Sequence, residues 1–258
     1  MPNRFLGQHW LKDRLILEAI ADSVTITPET TVLEVGPGLG TLTSVLLARA
    51  GRVVAVEYDD ALASKLPGQF PGKNLEVVNT DFLDFNLEKL PTGYKVVANL
   101  PYYITTKIIK HLLQGTNRPD EMALLIQQEV AEKLASLPGQ MTALAVKAQL
   151  DYTVQKTTRV PKTYFFPRPK IDSQVIVFKK RNVSKSAQCD RKNLFRVIDA
   201  GFSAPRKNLR SSLSGGLGIS KNESEKLLVD TLLVPQKRAQ DLSLDDWLKL
   251  AELAKAYL

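Results

Sequence analysis

Two spacings of hydrophobic residues alternate along most of the chain. Short runs rich in β-branched and aliphatic residues predict buried strands, and the stretches between them place apolar residues at helical spacing. Strands that alternate with helices in this way predict a mainly parallel, doubly wound sheet, which is an α/β fold of the Rossmann-like type. The predicted strands are Thr31–Val35, Arg52–Val56, Leu75–Asn79, Lys95–Ala98 and Ala123–Ile126.

The pattern changes toward the carboxyl end of the chain. Thr153–Val160 and Gln174–Phe178 alternate in the way of strands, so we expect them to form an antiparallel pair at the edge of the sheet. Beyond the polar stretch Ser184–Gln188, the apolar residues recur only at helical spacing. We therefore predict a Rossmann-like domain over residues 1–183 and a small all-helical domain over residues 184–258.

The first predicted strand runs into a glycine-rich turn and then into a helix. Gly36, Gly38 and Gly40 remove side chains where the chain turns sharply and where a ligand can approach the backbone. A dinucleotide site needs its third glycine at position 41, where this sequence has Thr41. A pyrophosphate would also be repelled by Glu34 at the end of the strand. S-adenosylmethionine carries cationic groups and no phosphate, so the turn favours this cofactor.

Acidic residues also follow the second and third predicted strands. Glu57 lies about twenty residues beyond the glycines, where a βαβ unit places an acid on ribose hydroxyls. Asp81 can bond an adenine amino group, and Phe82 can cover the adenine ring. A strand-end aspartate is also a common helix cap, and this alternative stays open for Asp81.

The sharpest chemical signal is the sequence N-L-P-Y after the fourth predicted strand. An exocyclic base amine is a poor nucleophile because its lone pair is delocalised into the ring. Two acceptors, the Asn99 side-chain oxygen and the Leu100 carbonyl, would pull that nitrogen toward tetrahedral geometry. Pro101 fixes the backbone, and Tyr102 offers a ring on which the target base can stack. The motif therefore predicts methyl transfer to a base amine, with no general base required.

The charge of the chain and its distribution indicate a nucleic-acid partner. The chain of 258 residues has a net charge of +8, and the segment from Lys179 to Arg210 holds ten Lys or Arg against two acids. Such clustering is typical of phosphate binding, and Arg206, Lys207 and Arg210 are spaced to share one face of a predicted helix, so we expect them to contact RNA.

A single cysteine and two histidines leave no disulfide framework and no Cys/His zinc site. We find no signal peptide and no apolar run of membrane-spanning length, so we expect a cytoplasmic monomer without a metal or a membrane partner. We interpret Trp10 and Trp247 as core anchors.

These motifs together resemble the ribosomal RNA small-subunit adenine dimethyltransferase family. The matching segments run from end to end: Phe5–Leu11, Leu33–Gly40, Glu57, Asp81, Asn99–Thr105, Phe165–Ser173 and Gly201–Leu213. The resemblance implies an enzyme that uses S-adenosylmethionine to methylate N6 of two adjacent adenosines near the 3′ end of small-subunit (16S) rRNA. It further implies N6,N6-dimethyladenosine as the product and an immature small subunit (a 30S-type particle) as the partner.

The resemblance also assigns residues to the two halves of the site. It implies that His9, Leu11, Gly36, Glu57, Asp81 and Asn99 line the cofactor pocket, to which the patterns above add Gly38 and Phe82. It implies that Asn99–Tyr102 hold the target adenine, with Phe165 on the opposite side. Two positions depart from the commonest family form, because His9 and Tyr103 stand where Asn is frequent.

Other functions stay open at this point. Methyltransferases of the antibiotic-resistance type, which act on large-subunit rRNA, share the cofactor half and an N-[LI]-P-Y motif, but Leu100 and Gly201–Leu213 favour the small-subunit family. A mainly non-catalytic role in ribosome assembly or transcription is disfavoured by the complete Asn99–Tyr102 motif. A nicotinamide oxidoreductase is disfavoured by Thr41 and Glu34.

Overall fold

The computed structural model describes residues 9–186 and 189–257. Residues 5–8, which begin the first matching segment, lie outside this described part of the chain. The strands are β1 (Trp10–Leu11), β2 (Thr31–Val35), β3 (Arg52–Glu57), β4 (Leu75–Asn79), β5 (Lys95–Asn99), β6 (Glu121–Gln127), β7 (Tyr152–Val160), β8 (Phe165–Phe166) and β9 (Ser173–Lys180). The helices are α1 (Arg14–Asp22), α2 (Thr41–Leu46), α3 (Asp60–Gln69), α4 (Thr105–Gln114), α5 (Gln128–Leu134), α6 (Ala143–Asp151), α7 (Arg191–Gly201), α8 (Leu209–Leu217), α9 (Lys221–Asp230) and α10 (Leu244–Ala254).

A mixed sheet of seven strands organises the described part of the first unit. Its order is β4-β3-β2-β5-β6-β9-β7. The strands β2 to β6 pair in parallel, and β9 is antiparallel to β6. The predicted α/β class is confirmed, and β7 and β9 are neighbours at one edge as expected. Chain order reverses between β2 and β5, which is where ligands bind in sheets of this type.

Contacts divide the chain into two compact units. The first contains residues 1–131 and 153–180, and the second contains residues 132–152 and 181–258. The second unit thus includes α6, which the predicted 1–183 and 184–258 division assigned to the first domain. The reason is packing, because Ala145, Val146 and Leu150 of α6 are buried in the same apolar cluster as Leu194 and Val197 of α7.

The second unit is helical, as its periodicity predicts. Its helices α9 and α10 each begin with a capping box, in which Ser220 pairs with Glu223 and Ser243 with Asp246. Each box satisfies two backbone N–H groups at a helix start. Trp247 of α10 is fully buried in the core of this unit, which confirms its interpretation as an anchor.

A buried carboxylate in the second unit is surrounded by hydrogen-bond donors. Asp151 accepts hydrogen bonds from the hydroxyls of Ser184 and Ser186 and forms an ion pair with Arg191. Burial by itself would raise the pKa of Asp151, but Ser184, Arg191 and Ser186 together outweigh it and hold that pKa below its ordinary value. Asp151 is therefore charged at neutral pH and compensated by its neighbours.

Across residues 9–186 and 189–257, every helix is too short or too polar to traverse a lipid bilayer.

Candidate active site

A cavity of about 360 Å³ opens at the carboxyl ends of four adjacent parallel strands in the first unit. Its walls come from the residues that follow β2, β3, β4 and β5, and from β1. All eight residues predicted to bind the cofactor line it, namely His9, Leu11, Gly36, Gly38, Glu57, Asp81, Phe82 and Asn99. The fold thus brings together residues that are up to ninety positions apart in the sequence.

The glycine turn after β2 has the backbone conformation that its composition predicts. Gly36, Gly38 and Gly40 have φ angles of 67°, 57° and 77°, which lie in the left-handed region that favours glycine. A methyl group added at Gly40 would lie 2.8 Å from a methyl carbon of Leu66. Gly40 therefore allows α3 to pack closely on the turn, whereas Gly36 and Gly38 face the cavity.

Glu57 at the end of β3 fixes the neighbouring loops. Its two carboxylate oxygens each accept a backbone N–H, from Gly38 at 3.0 Å and from Asp59 at 3.0 Å. Burial raises the pKa of Glu57, and the hydrogen bonds from Asp59 and Gly38 oppose that rise. Glu57 therefore joins the turn after β2 to the turn after β3 and presents its carboxylate to the cavity.

Glu34 does not carry the charge that the sequence interpretation gave it. Its side chain is buried and accepts a hydrogen bond of 2.6 Å from the Thr43 hydroxyl. Burial raises the pKa of Glu34 to about 8, so the carboxyl is mostly neutral at pH 7. Glu34 therefore has no permanent negative charge in the protein alone, and its selection of a cationic ligand stays a prediction.

Asp81 is a helix cap and also lines the cavity, so the alternative in which it bonds an adenine amino group stays a prediction. One of its oxygens accepts the Leu83 N–H at 2.8 Å and begins the short 3₁₀ helix Phe82–Asp84. Asp81 also lines the cavity together with Phe82, whose ring is buried and lies parallel to that of Phe85 at 6.3 Å. The cap orients the carboxylate, and the packing fixes the ring beside it.

The N-L-P-Y motif leaves β5 with two acceptors unengaged. The Asn99 side-chain N–H donates to the His9 carbonyl at 3.1 Å, and the Leu100 N–H donates to the Leu125 carbonyl at 3.1 Å. The Thr105 hydroxyl donates to the Pro101 carbonyl at 2.9 Å. Within the described residues, the Asn99 side-chain oxygen and the Leu100 carbonyl have no such donor. The two acceptors that the sequence interpretation requires are therefore available.

Tyr102 is held in place from two sides. Its hydroxyl bonds that of Ser173, and its ring centroid lies 5.2 Å from the ring of His9. His9 in turn contacts the Pro167 carbonyl through Nδ1 at 2.6 Å. Burial raises the pKa of Tyr102, so the phenol stays neutral at physiological pH. The ring is thus presented to the cavity in one orientation.

Phe165 is absent from the lining of this cavity. It lies in the short strand β8, which pairs with β1 so that Leu11 faces Phe165 and Trp10 faces Phe166. Neighbouring side chains of a strand point to opposite sides. Phe165 consequently enters the apolar core at 4% exposure, whereas Phe166 is 63% exposed. The predicted contact between Phe165 and the adenine finds no support in this position.

Three aromatic residues of the cavity wall were not predicted as site residues, and one of them, Trp10, was interpreted as a core anchor but is only partly buried. Trp10 lines the cavity, and its buried indole N–H has no hydrogen-bond partner in the described part of the chain. Tyr58 and Tyr103 also line it, although both rings remain more than half exposed. Each of the three directly follows a predicted site residue, namely His9, Glu57 or Tyr102, and that adjacency is the signal that could have identified them.

The three basic residues predicted to share one helix face in the second unit do not all lie on a helix. Helix α8 begins only at Leu209, so Arg206 and Lys207 lie exposed in the turn before it. Arg210 is on the helix and pairs with Glu225 at 3.1 Å. The prediction of one helical face was therefore wrong, because Asn208 caps the helix and starts it after the first two cations.

Comparison with known proteins gives consistent matches. Residues 2–256 match the family described as Ribosomal RNA adenine dimethylase. Ribosomal RNA small subunit methyltransferase A of Dehalococcoides mccartyi (strain CBDB1) is 36% identical over 249 residues, which cover 95% of this chain and 86% of that protein. The protein of the same description from Nostoc sp. (strain PCC 7120 / SAG 25.82 / UTEX 2576) is 37% identical, covering 98% of this chain and 97% of that protein.

Solved structures also resemble the chain along almost its whole length. The 23S rRNA methyltransferase ErmE has a TM-score of 0.75 and 27% identity, and the match covers 95% of this chain and 99% of that one. A dimethyladenosine transferase from Plasmodium falciparum has a TM-score of 0.79 and 24% identity, with 96% and 98% covered. The second likeness supports the fold alone.

Proposed function

Because the chain belongs to the ribosomal RNA adenine dimethylase family, we propose that it dimethylates N6 of two adjacent adenosines near the 3′ end of small-subunit rRNA. The reaction consumes S-adenosylmethionine, and it takes place on an immature small subunit in the cytoplasm, with the protein acting as a monomer. The observation that carries the proposal is the pair of unengaged acceptors, the Asn99 side-chain oxygen and the Leu100 carbonyl, beside the ring of Tyr102.

The cavity residues suit S-adenosylmethionine in an order set by the sheet. Asp81 follows β4 and Glu57 ends β3, so the adenine and ribose belong at that side. Gly36 and Gly38 follow β2, next to β5 and Asn99, so the methionine part belongs there. The unpartnered Trp10 N–H lies against Gly38, where a ligand acceptor would satisfy it.

The chain's own residues act by positioning and by polarising the amine. When bound, S-adenosylmethionine supplies an activated methyl group whose sulfonium leaving group keeps the electrons of the broken bond. The Asn99 oxygen and the Leu100 carbonyl accept hydrogen bonds from the two N–H groups of the adenine amine. These bonds pull the nitrogen toward tetrahedral geometry, so that its lone pair points at the methyl carbon. Tyr102 stacks on the base and fixes the direction of attack. Positioning of this kind is worth roughly 7–11 kcal/mol in well-oriented reactions, and the amine proton leaves to water after transfer.

We assign the initial hold on RNA to Arg206, Lys207 and Arg210. Arg206 and Lys207 are exposed and have no acidic partner among the described residues, so they contribute most to phosphate contact. Arg210 shares its charge with Glu225 and contributes less. Reversing Arg206 and Lys207 to Glu should flatten the salt dependence of RNA affinity by about 1.5 in log–log slope. Reversal of Lys226 and Lys249, two exposed lysines of the same unit, is the control.

The decisive experiment is to map the modified nucleotides. The protein is incubated with labelled S-adenosylmethionine and either immature small subunits or large-subunit rRNA, and Asn99→Ala serves as the inactive control. Label at two adjacent adenosines of the small-subunit rRNA supports the proposal. Label on large-subunit rRNA would favour the function named for the similar ErmE structure. Tight binding to the immature subunit without any label would favour a non-catalytic assembly factor.

A further inference from the structure

Tyr102 and Tyr103 are adjacent in sequence but serve different sides of the cavity. Tyr102 is partly buried, bonds Ser173 and lies beside the ring of His9. Tyr103 lines the same cavity, yet 54% of its side chain is exposed. The function proposed above uses Tyr102 and gives Tyr103 no task.

The surroundings of Tyr103 lie at the β3 and β4 end of the cavity. Burial against the wall raises the pKa of Tyr103, and nearby Asp81, Tyr58 and Glu57 raise it further. Glu57 ends β3, Tyr58 follows it directly, and Asp81 follows β4. Tyr103 therefore lies near the residues that suit the ribose and adenine.

Tyr58 is the second exposed ring at this end. It follows Glu57 directly, lines the cavity and is 59% exposed. Two large rings with more than half of their surface in water, at the rim of one cavity, have apolar area still to bury. A flat purine is the ligand that can bury aromatic faces without needing a charge, since every base has a π-face for stacking.

We propose that Tyr103, together with Tyr58, closes over the adenosine part of bound S-adenosylmethionine and retains it, while Tyr102 receives the target base. Two consecutive tyrosines thus divide the cavity between cofactor and RNA. The inference rests on the proposed function for the identity of the cofactor. Tyr103 acts as a positioning residue in this scheme, because it contacts neither the methyl group nor the amine.

The test separates the two ligands. Affinity for S-adenosylmethionine, S-adenosylhomocysteine and 5′-methylthioadenosine is measured by calorimetry, and cofactor dissociation by rapid chase, for wild type, Tyr103→Ala and Tyr103→Phe. We expect Tyr103→Ala to weaken all three ligands by about tenfold, mostly through faster dissociation, because they share the adenosine that the ring covers. Tyr103→Phe keeps the ring and should bind like wild type, and Tyr103→Asn, the common family form, should resemble Tyr103→Ala.

A matched control is Tyr164→Ala, which removes an exposed tyrosine of the same unit that is not part of the cavity wall. It should leave all three affinities unchanged. RNA affinity should be the same in Tyr103→Ala as in wild type, and Tyr58→Ala combined with Tyr103→Ala should lose less than the sum of the single losses, since the rings close together.

Two results would overturn the inference. One is unchanged cofactor affinity in Tyr103→Ala together with weaker RNA binding, which would place this ring on the RNA. The other is equal loss in Tyr103→Phe and Tyr103→Ala, which would assign the effect to the hydroxyl. Both leave the proposed function intact, whereas a wild-type protein that binds no S-adenosylmethionine would remove the proposed function itself.

Discussion

Carboxyl groups are buried in both units of the molecule, and their surroundings differ in one respect. At the cavity, Glu34 and Glu57 are held by hydroxyl and backbone N–H donors, no ion pair reaches them within the described residues, and burial raises both pKa values. In the helical unit, Asp151 has Arg191 and two serine hydroxyls, and its pKa is lowered. The difference indicates that Asp151 stabilises the fold, whereas Glu57 presents its carboxylate to the cavity, where a ligand can reach it.

The largest effect is expected from the compensated carboxylate. Asp151→Ala removes a buried carboxylate together with its ion pair to Arg191 and its two serine hydrogen bonds, so the free energy of unfolding should fall by about 3–5 kcal/mol in denaturant titrations. Asp245→Ala, which removes the exposed partner of Lys185, should cost at most about 1 kcal/mol. Cofactor affinity of the folded Asp151→Ala protein should equal that of wild type, and a marked loss would contradict the division of roles.

Asn99→Ala should lower the catalytic rate and leave the fold intact, in contrast to Asp151→Ala. It removes one of the two acceptors for the amine, so kcat should fall by about 10²–10³, the usual cost of one preorganised polar group at a reacting centre. Asn86→Ala, which removes an exposed cap of the 3₁₀ helix Leu87–Lys89, should leave kcat unchanged. Single-turnover methylation rates measure the effect, and activity of Asn99→Ala within a few-fold of wild type would refute the mechanism.

Glu57→Ala should act on cofactor affinity. The carboxylate accepts N–H groups from Gly38 and Asp59 and faces the cavity, so its loss removes a charged acceptor and loosens both turns. We expect affinity for S-adenosylmethionine to fall by about 1.5–3 kcal/mol in calorimetric titrations. Glu76→Ala is the control, because Glu76 lies on the neighbouring strand and pairs with Arg52 outside the cavity. Equal affinities in the two variants would mean that the ribose is bound elsewhere.

The smallest effect is a pH dependence. The pKa of Glu34 is raised on folding, so the folded state binds more protons than the unfolded chain between the ordinary pKa and about 8. The stability that Glu34 contributes should therefore be fully present below about pH 4.5 and fall as the pH rises toward 8, by about 2 kcal/mol between pH 5 and pH 7. Glu34→Gln keeps an acceptor for Thr43 and removes the titration, so its unfolding free energy should decline less over the same range. Parallel pH profiles for the two proteins would show that Glu34 does not titrate in this way.

Local patterns predicted the strands because short runs rich in β-branched and aliphatic residues favour a buried strand over a helix or a loop. Thr31–Val35 and Leu75–Asn79 have the predicted bounds, and the residues after the parallel strands meet because carboxyl ends of parallel strands share one edge. The sequence alone did not predict which side chains of the site are buried. The proton on Glu34 and the inward turn of Phe165 both depend on neighbours distant in sequence.

The same limit applies to the second unit. Helix α6 lies before the predicted boundary at residue 184, and its place in the helical unit follows from packing against α7. Arg206 and Lys207 were predicted on a helix because their spacing is helical, and Asn208 starts that helix two residues too late for them. Spacing identifies an element, whereas its cap and its partners decide where it begins and what it joins.

The short ribbon of β1 and β8 has a consequence for the protein while it is being made. Trp10 pairs with Phe166, and His9 contacts Pro167, 158 positions further along the chain. A ribosome that synthesises this chain releases β1, which belongs to the cavity wall, first and its partner strand β8 much later. A nascent chain that ends before β8 has the glycine turn and the N-L-P-Y motif but no strand to pair with β1. Capture of the cofactor by stalled nascent chains of increasing length should therefore begin only once β8 has left the exit tunnel.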